Sequence, residues 1–206
     1  MPSKSQLYAA IGIAALVWAV LLIVQGASLK ATYLRPYSFA VGVVIICFLV
    51  FDRWLWRVAA RLRLIRRPVL RGTWKGRLTS MWEDPATGQR PPEIEIYLAV
   101  HQTYSTMSLV LLTKESASRS VVAGLAVPSD QPATISSTYL NVPRLRVRER
   151  SPIHHGALML DVEGLPARRM SGSYWTERNS RGEVSFDARS TRVHGDFATA
   201  KADTYG

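Results

Sequence analysis

Cysteine is nearly missing from this chain: Cys47 is the only one in 206 residues. No disulfide and no cysteine-based metal site therefore forms within one chain. Acidic residues are missing from the first 51 positions, and Asp52 is the first. The only asparagines, Asn141 and Asn179, stand outside any N-x-Ser/Thr sequon, which is compatible with a domain that is not secreted. Catalytic signatures are missing too. No Gly-x-Ser-x-Gly elbow, Walker loop or Gly-x-Gly-x-x-Gly follows a strand-like run, so acyl transfer and phosphate-loop chemistry have no support. His154 and His155 stand together before Gly156, but they lack helical His-x-x-x-His spacing and a third ligand, and a turn or strand cap is expected there in place of a metal. Asp161 and Glu163 lie opposite the apolar phase of their run, where solvation is expected. The chain reads as a receptor and not an enzyme, with no catalytic residues, metal or cofactor.

What is present early is apolar length. Leu7 to Val24 carries no charge, and at ~1.5 Å per residue it approaches the ~30 Å hydrocarbon core of a bilayer. A cleaved signal peptide is the rival reading, because Lys4 precedes the run and Gly26-Ala27-Ser28 are small; signal cores are usually shorter, at ~7–15 residues. The second run, Tyr37 to Phe51, is extended by Leu34 before it and by Trp54, Leu55 and Trp56 after it. Tyr33 and Tyr37 at one end and Trp54 and Trp56 at the other match interfacial aromatic belts. Residues 1–52 are thus expected to form a membrane α-hairpin of two transmembrane helices.

Charge sets the orientation. Residues 1–71 carry ten Lys or Arg against one Asp, whereas the remainder carries sixteen bases and fourteen acids. A groove for DNA or RNA would put its positive charge on the folded domain, so the net charge of +11 points to a lipid surface. Residues 53–70 form a basic juxtamembrane linker. Arg53, Arg57, Arg61, Arg63, Arg66, Arg67 and Arg71 follow the second span, against Lys30 and Arg35 in the short connection, which places both termini in the cytoplasm. Leu55, Val58, Leu62 and Ile65 recur at helical spacing, and Pro68 is expected to end that helix.

Beyond Arg71 the period becomes two. Eight runs follow: Thr73 to Met81, Ile94 to Tyr104, Met107 to Thr113, Arg119 to Val127, Thr134 to Val142, Gly156 to Glu163, Met170 to Arg178 and Glu183 to Arg192. Turn chemistry separates them at Asp84-Pro85-Ala86-Thr87-Gly88, Pro128-Ser129-Asp130, Glu163-Gly164-Leu165-Pro166 and Asn179-Ser180-Arg181-Gly182. Eight short strands without a helix predict an all-β domain over residues 71–206, an up-and-down eight-stranded β-barrel of lipocalin-like form, with a sandwich as the alternative.

The two spans, the basic joint, the opening strand Arg71-Gly-Thr-Trp-Lys-Gly76 and the late Gly172-Ser-Tyr-Trp-Thr-Glu-Arg178 followed by Gly182 together resemble the two-transmembrane, β-strand-rich effectors of bacterial cyclic-oligonucleotide anti-phage defence (CBASS). The resemblance covers essentially the whole chain. It implies that a cyclic dinucleotide made by a partner nucleotidyltransferase binds the barrel, that the protein self-associates into oligomers, and that the spans disrupt the inner membrane of the infected cell. A Gly-x-Trp-x-Gly opening strand also occurs in lipocalins. A membrane-anchored barrel that carries an apolar ligand, or acts as an assembly scaffold, therefore stays open as the alternative.

For the site, the more apolar phase of each strand is taken as inward: Trp74/Gly76/Leu78, Ile94/Ile96/Leu98/Val100, Leu109/Leu111, Val121/Ala123/Leu125, Ile135/Ser137/Tyr139, Leu158/Leu160/Val162, Gly172/Tyr174 and Val184/Phe186, with the third and eighth runs ambiguous because both of their phases contain apolar residues. Continued to the end where the first strand finishes, those phases add Thr113, Arg119, Asn141, Thr176 and Arg178. A ligand with two phosphodiesters and two bases wants guanidinium or hydroxyl donors and aromatic faces. Arg119, Arg178, Thr113 and Thr176 supply the first, with Asn141 beside them. Tyr139 and Tyr174 supply the second, with Trp82 a further candidate. The basic connection Arg144 to Arg150 reaches the same end and raises the local anion concentration.

Overall fold

Alternation after Gly72 resolves into eight antiparallel strands: β1 (Gly72–Ser80), β2 (Ile94–Gln102), β3 (Met107–Leu112), β4 (Ser116–Ala126), β5 (Ala133–Pro143), β6 (His154–Glu163), β7 (Arg169–Thr176) and β8 (Arg181–Ser190). Each pairs with the next, and β1 also pairs with β8, so the sheet closes into a barrel. Closure excludes the sandwich. The structure, a computed structural model, describes residues 31–84 and 87–206, the backbone alone for residues 31–40, and before these only residues 8, 11, 12, 15, 16, 19, 20, 23 and 24. The first apolar run, Leu7 to Val24, lies mostly outside the described residues.

The chain forms two compact units, Met1–Val58 with Thr103–Ser105, and Ala59–Gln102 with Thr106–Gly206. In the first, helix α1 (Ala31–Val50) runs into a π-helical turn at Phe51–Leu55 and on into α2 (Trp56–Arg61), whose last three residues belong to the second unit. Among the residues described in full, no helix is long and apolar enough to cross a membrane. The helix ends at Arg61, ahead of Pro68, because Arg63 adopts a left-handed backbone (φ 58°) and Arg63 and Leu64 donate back to the carbonyls of Ala60 and Ala59. A π turn widens the helix and changes which carbonyls are taken internally. The Asp52 carbonyl accepts the Tyr104 N–H at 3.0 Å. Its buried carboxylate accepts the Ser105 N–H at 2.8 Å and the Thr103 hydroxyl at 3.3 Å. The Tyr104 ring meets Phe51 edge-on at 5.1 Å and Trp56 at 6.3 Å. The first acid in the sequence thus clasps the β2–β3 connection.

In the second unit the inward phase is the one expected on seven strands, with Trp74, Leu98, Val100, Leu160, Met170 and Phe186 in one buried cluster; only Ile94, at a strand end, is exposed. β4 departs. Its ladder with β5 shifts between Ser120 and Val122, so Val121 is an extra residue. An extra residue reverses the facing of everything before it. Ser116, Ser118 and Ser120 therefore take the inward phase that Ala123 and Leu125 hold beyond the bulge, while Val121 and Arg119 lie exposed on the outside.

The mouth where β1 begins, the near mouth, is stitched shut. Leu70 is buried in the core and its carbonyl accepts the Trp74 indole N–H at 2.9 Å. The Leu70 N–H donates to Gln102 Oε1 at 2.7 Å, and Gln102 Nε2 donates to the Pro68 carbonyl. Arg189 lies over the Trp74 ring and donates to the carbonyls of Val69 and Arg71. Burial, followed by the nearby Arg61 charge, lowers its pKa. The C-terminal tail holds the outside of the barrel. Helix α3 (Phe197–Lys201) and Tyr205 pack on Tyr97, and Asp203 accepts from Ser190 Oγ at 2.6 Å and lies 2.7 Å from His194 Nε2.

Trp74→Ala should remove about 3–5 kcal/mol of stability, read by chemical denaturation, whereas Val121→Thr should change it by less than about 0.5 kcal/mol. The hydrogen bonds from Ser190 and His194 hold the Asp203 carboxyl down to about 2. A depressed carboxyl stabilises the fold above its unfolded pKa and loses that contribution as pH falls through its folded value. The denaturation midpoint should therefore fall as the pH drops from about 4 to about 2, and Asp203→Asn should flatten that acid limb.

Candidate functional site

The opposite end, the far mouth, carries polar side chains on the inward phase. Strand register brings them together. Asn141 pairs with His154 on one side and Ser118 on the other, Tyr139 with Gly156, Gly156 with Thr176, Tyr174 with Gly182, and Gly182 with Ser80. Asn141 Nδ2 donates to Ser118 Oγ at 2.7 Å and Ser116 Oγ at 3.1 Å. His154 Nδ1 sits 2.8 Å from the Pro152 carbonyl. If Nδ1 carries the proton this is a strand-end cap of the kind expected, and Nε2 is left as an acceptor.

Glycines shape this end. A Cβ on Gly156 would stand 2.4 Å from the Tyr139 hydroxyl oxygen, and one on Gly182 would stand 2.8 Å from Cε1 of Tyr174. Each ring therefore leans across a residue without a side chain. Burial and the neighbouring Tyr174 push the Tyr139 phenol up to about 12. Among the described residues neither phenol hydroxyl has a protein partner, and both rings are buried at the edge of the core.

Above them a groove of about 760 Å³ opens on the rim. The β1–β2 loop supplies Met81, Trp82, Glu83 and Arg90, and the end of β7, its turn and the start of β8 supply Trp175, Thr176, Asn179, Ser180 and Arg181. The loop is pinned to β8 by the Met81 N–H on the Arg181 carbonyl at 2.8 Å, and to Ser80 through the Trp82 N–H. Asn179 holds a left-handed backbone (φ 59°) in the tight turn, a conformation asparagine tolerates. Both indoles are exposed. Arg90 makes two contacts with Glu83 Oε1, at 2.8 and 3.0 Å, while Arg181 has no ion pair among the described residues. Two flat aromatic faces, one guanidinium free of an acid and several hydroxyls suit a planar, anionic ligand.

The sequence-predicted residues fall into three places. Thr176 lines the groove, its hydroxyl 2.7 Å from Ser180 Oγ, and Tyr174, Tyr139 and Asn141 share the inward phase of the same mouth. Thr113 and Arg178 sit in turns at this mouth. Thr113 Oγ1 accepts the N–H groups of Ser116 and Glu115, and Arg178 reaches away to Ser151 Oγ at 3.0 Å. Arg119 lies on the outer face, because the β4 bulge inverts its phase. Sequence reasoning missed Trp175, Arg181, Asn179, Ser180 and Arg90. Trp175 and Arg181 occupy the outward phase, which matters here because the β1–β2 loop supplies the facing wall of the groove. The Asn179-Ser180-Arg181-Gly182 turn was the available signal.

Among the described residues no cluster of His, Cys, Asp or Glu is arranged to hold a metal ion. Of the basic connection, which includes a 3₁₀ turn at Leu145–Val147, Arg148 donates to the Pro143 carbonyl and Arg150 pairs with Glu115. In comparisons with known proteins, the family model described as Cap15, cyclic dinucleotide receptor domain, matches residues 65–188, more than half of the chain. The match begins in the segment stitched to the near mouth and takes in all of β1 to β7. No curated protein matches the chain.

Gly156→Ala should drive the Tyr139 ring out of its place at a cost of about 1–3 kcal/mol. The double variant with Tyr139→Ala should recover part of that loss in a denaturation series.

Proposed function

The chain belongs to the Cap15 cyclic dinucleotide receptor family, and from that premise we propose that it is a membrane effector of anti-phage defence. Its barrel takes the messenger at the far mouth. The observation that carries this reading is the rim groove, which joins stacking surfaces to a free cation within the matched span. Bases lie against Trp82 and Trp175, Arg181 takes a phosphodiester, and Thr176 and Ser180 donate to sugar or phosphate oxygens. Tyr139, Tyr174, Asn141 and Thr113 support the groove from within the mouth, Arg178 lies at its margin, and Arg119 stays out of contact. No catalytic step is involved. The filled core around Trp74 weighs against an apolar cargo in the near half of the barrel.

The output follows from the amino-terminal third. α1 exposes Val43, Val44, Ile46 and Leu49, which suits lipid, and the arginine excess beyond it suits the cytoplasmic surface of the inner membrane. Both termini then lie in the cytoplasm. A nucleotidyltransferase partner makes the messenger, the effector self-associates, and the helices breach the bilayer. The Asp52 clasp gives the signal a route: residues 103–105 lead directly into β2 and β3, so a change at their far ends moves the residues that the π turn holds.

Titration of the detergent-solubilised full chain with cyclic di- and trinucleotides should show micromolar binding of at least one cyclic dinucleotide; binding of none contradicts the receptor reading. Trp175→Ala should weaken that binding about tenfold or more, as loss of a stacked base does, and Arg181→Ala should weaken it and reduce its salt dependence. Arg119→Ala should leave it unchanged. In bacteria the protein should be tolerated until its nucleotide is supplied, and then collapse the membrane potential.

A further inference from the structure

One stretch of the barrel is not closed. β3 pairs with β4 only over Ala117–Arg119. At the next position the Leu109 N–H goes to the Ser120 side chain at 2.9 Å, and Val121 is the bulged residue. From Val122 to Ala126, β4 is paired on its β5 side, Val122 with Thr138 through Ala126 with Thr134. Its other edge has no backbone partner among the described residues. Val121 and Val122 are 67% and 65% exposed, and a Cβ on Gly124 would meet open space. From Val121 to Pro128 there is no charged residue. Soluble sheets protect such an edge with lysine, proline, an inward charge or a covering segment, and the bulge is the only such device within this strand.

We propose that this edge is a self-association surface, on which Val121–Ala126 pairs antiparallel with the same segment of a second copy. Unpaired N–H and C=O groups in strand spacing are satisfied fully by another strand. A two-fold axis at Gly124 sets the smallest residue against itself and Val122 against Ala126, with no side chain in the way. Charge permits an identical partner at this place, because the net charge lies almost wholly in residues 1–71 and two copies meet no like charge between Val121 and Pro128. Six residues of one strand bury much less than the roughly 800 Å² per partner of a stable complex. Pairing is therefore weak for free chains and takes hold once copies are concentrated in a bilayer and ordered by ligand. This last condition rests on the effector reading above, and the surface itself does not.

The test is a disulfide on the axis. The full chain with Cys47→Ser and Gly124→Cys, reconstituted in vesicles of phosphatidylethanolamine and phosphatidylglycerol, is oxidised with and without the cyclic dinucleotide that titrates. It should form a covalent dimer. The same background with Met159→Cys, an exposed position on the outside of β6, should not. Adding Val122→Lys should cut the dimer about tenfold, a like-charge and desolvation effect of ordinary size, whereas Val122→Thr should keep it. Circular dichroism and nucleotide titration of each variant report folding and binding separately. Absence of the Gly124→Cys dimer at high protein density, with folding intact, overturns the proposal, as does equal cross-linking through Met159→Cys. If no nucleotide binds, the receptor reading fails, and the dense ligand-free vesicles still decide the edge.

Discussion

Pairing of β1 with β8 is the constraint on which the rest of this structure depends. A strand sequence of alternating character has two faces, and closing the sheet makes one of them an interior. Once β1 meets β8, Trp74, Leu98 and Phe186 share a single core. The chain entering at Leu70 then lies against that core and covers one mouth. The other mouth inherits the inward residues that are too polar to belong to the core, Asn141, His154 and Thr176 among them. The asymmetry between a filled near half and a hydroxyl-lined far mouth follows from where apolar residues stop along each strand.

Half-buried Arg189 and buried Asp52 are two charged side chains met by fixed groups of the chain. Arg189 is held by the carbonyls of Val69 and Arg71 and by the face of Trp74, so its charge is met by dipoles and a ring. Asp52 is met by the N–H of Ser105 and the hydroxyl of Thr103. Both depend on backbone groups fixed in place, and both lose their partners if that backbone moves. They stand one at the start of β1 and one beside the β2–β3 connection.

Alternation carried most of the fold from sequence to structure, because period-two patterning and glycine- or asparagine-bearing turns are local properties. Eight strands, their order and the inward phase of five of them were legible on that basis, while the third and eighth runs, apolar on both phases, had an ambiguous pattern. Arg119 was not, since one unpaired residue at Val121 reverses everything before it, and nothing in Ser-Val-Val-Ala announces a bulge. The helix end was also misplaced. Pro68 was a visible stop, but the left-handed backbone at Arg63 acts sooner, and an arginine carries no signal for it. At the far mouth, Tyr139, Tyr174, Asn141 and Thr176 could be reached from strand phase. Trp175 and Arg181 could not, because their role is set by a loop that crosses from β1 and pins to β8, a contact between residues about a hundred positions apart (Met81 with Arg181).

The proposed receptor site rests on the two exposed indoles, Trp82 and Trp175. A crystal structure of the barrel with a bound cyclic dinucleotide is the most direct measurement. It should show a base against Trp82 or Trp175 and a phosphodiester within hydrogen-bonding distance of Arg181. Ligand density on the outer face of β4 around Arg119, or at the near mouth in place of Leu70, would contradict the assignment of the far mouth as the receptor site.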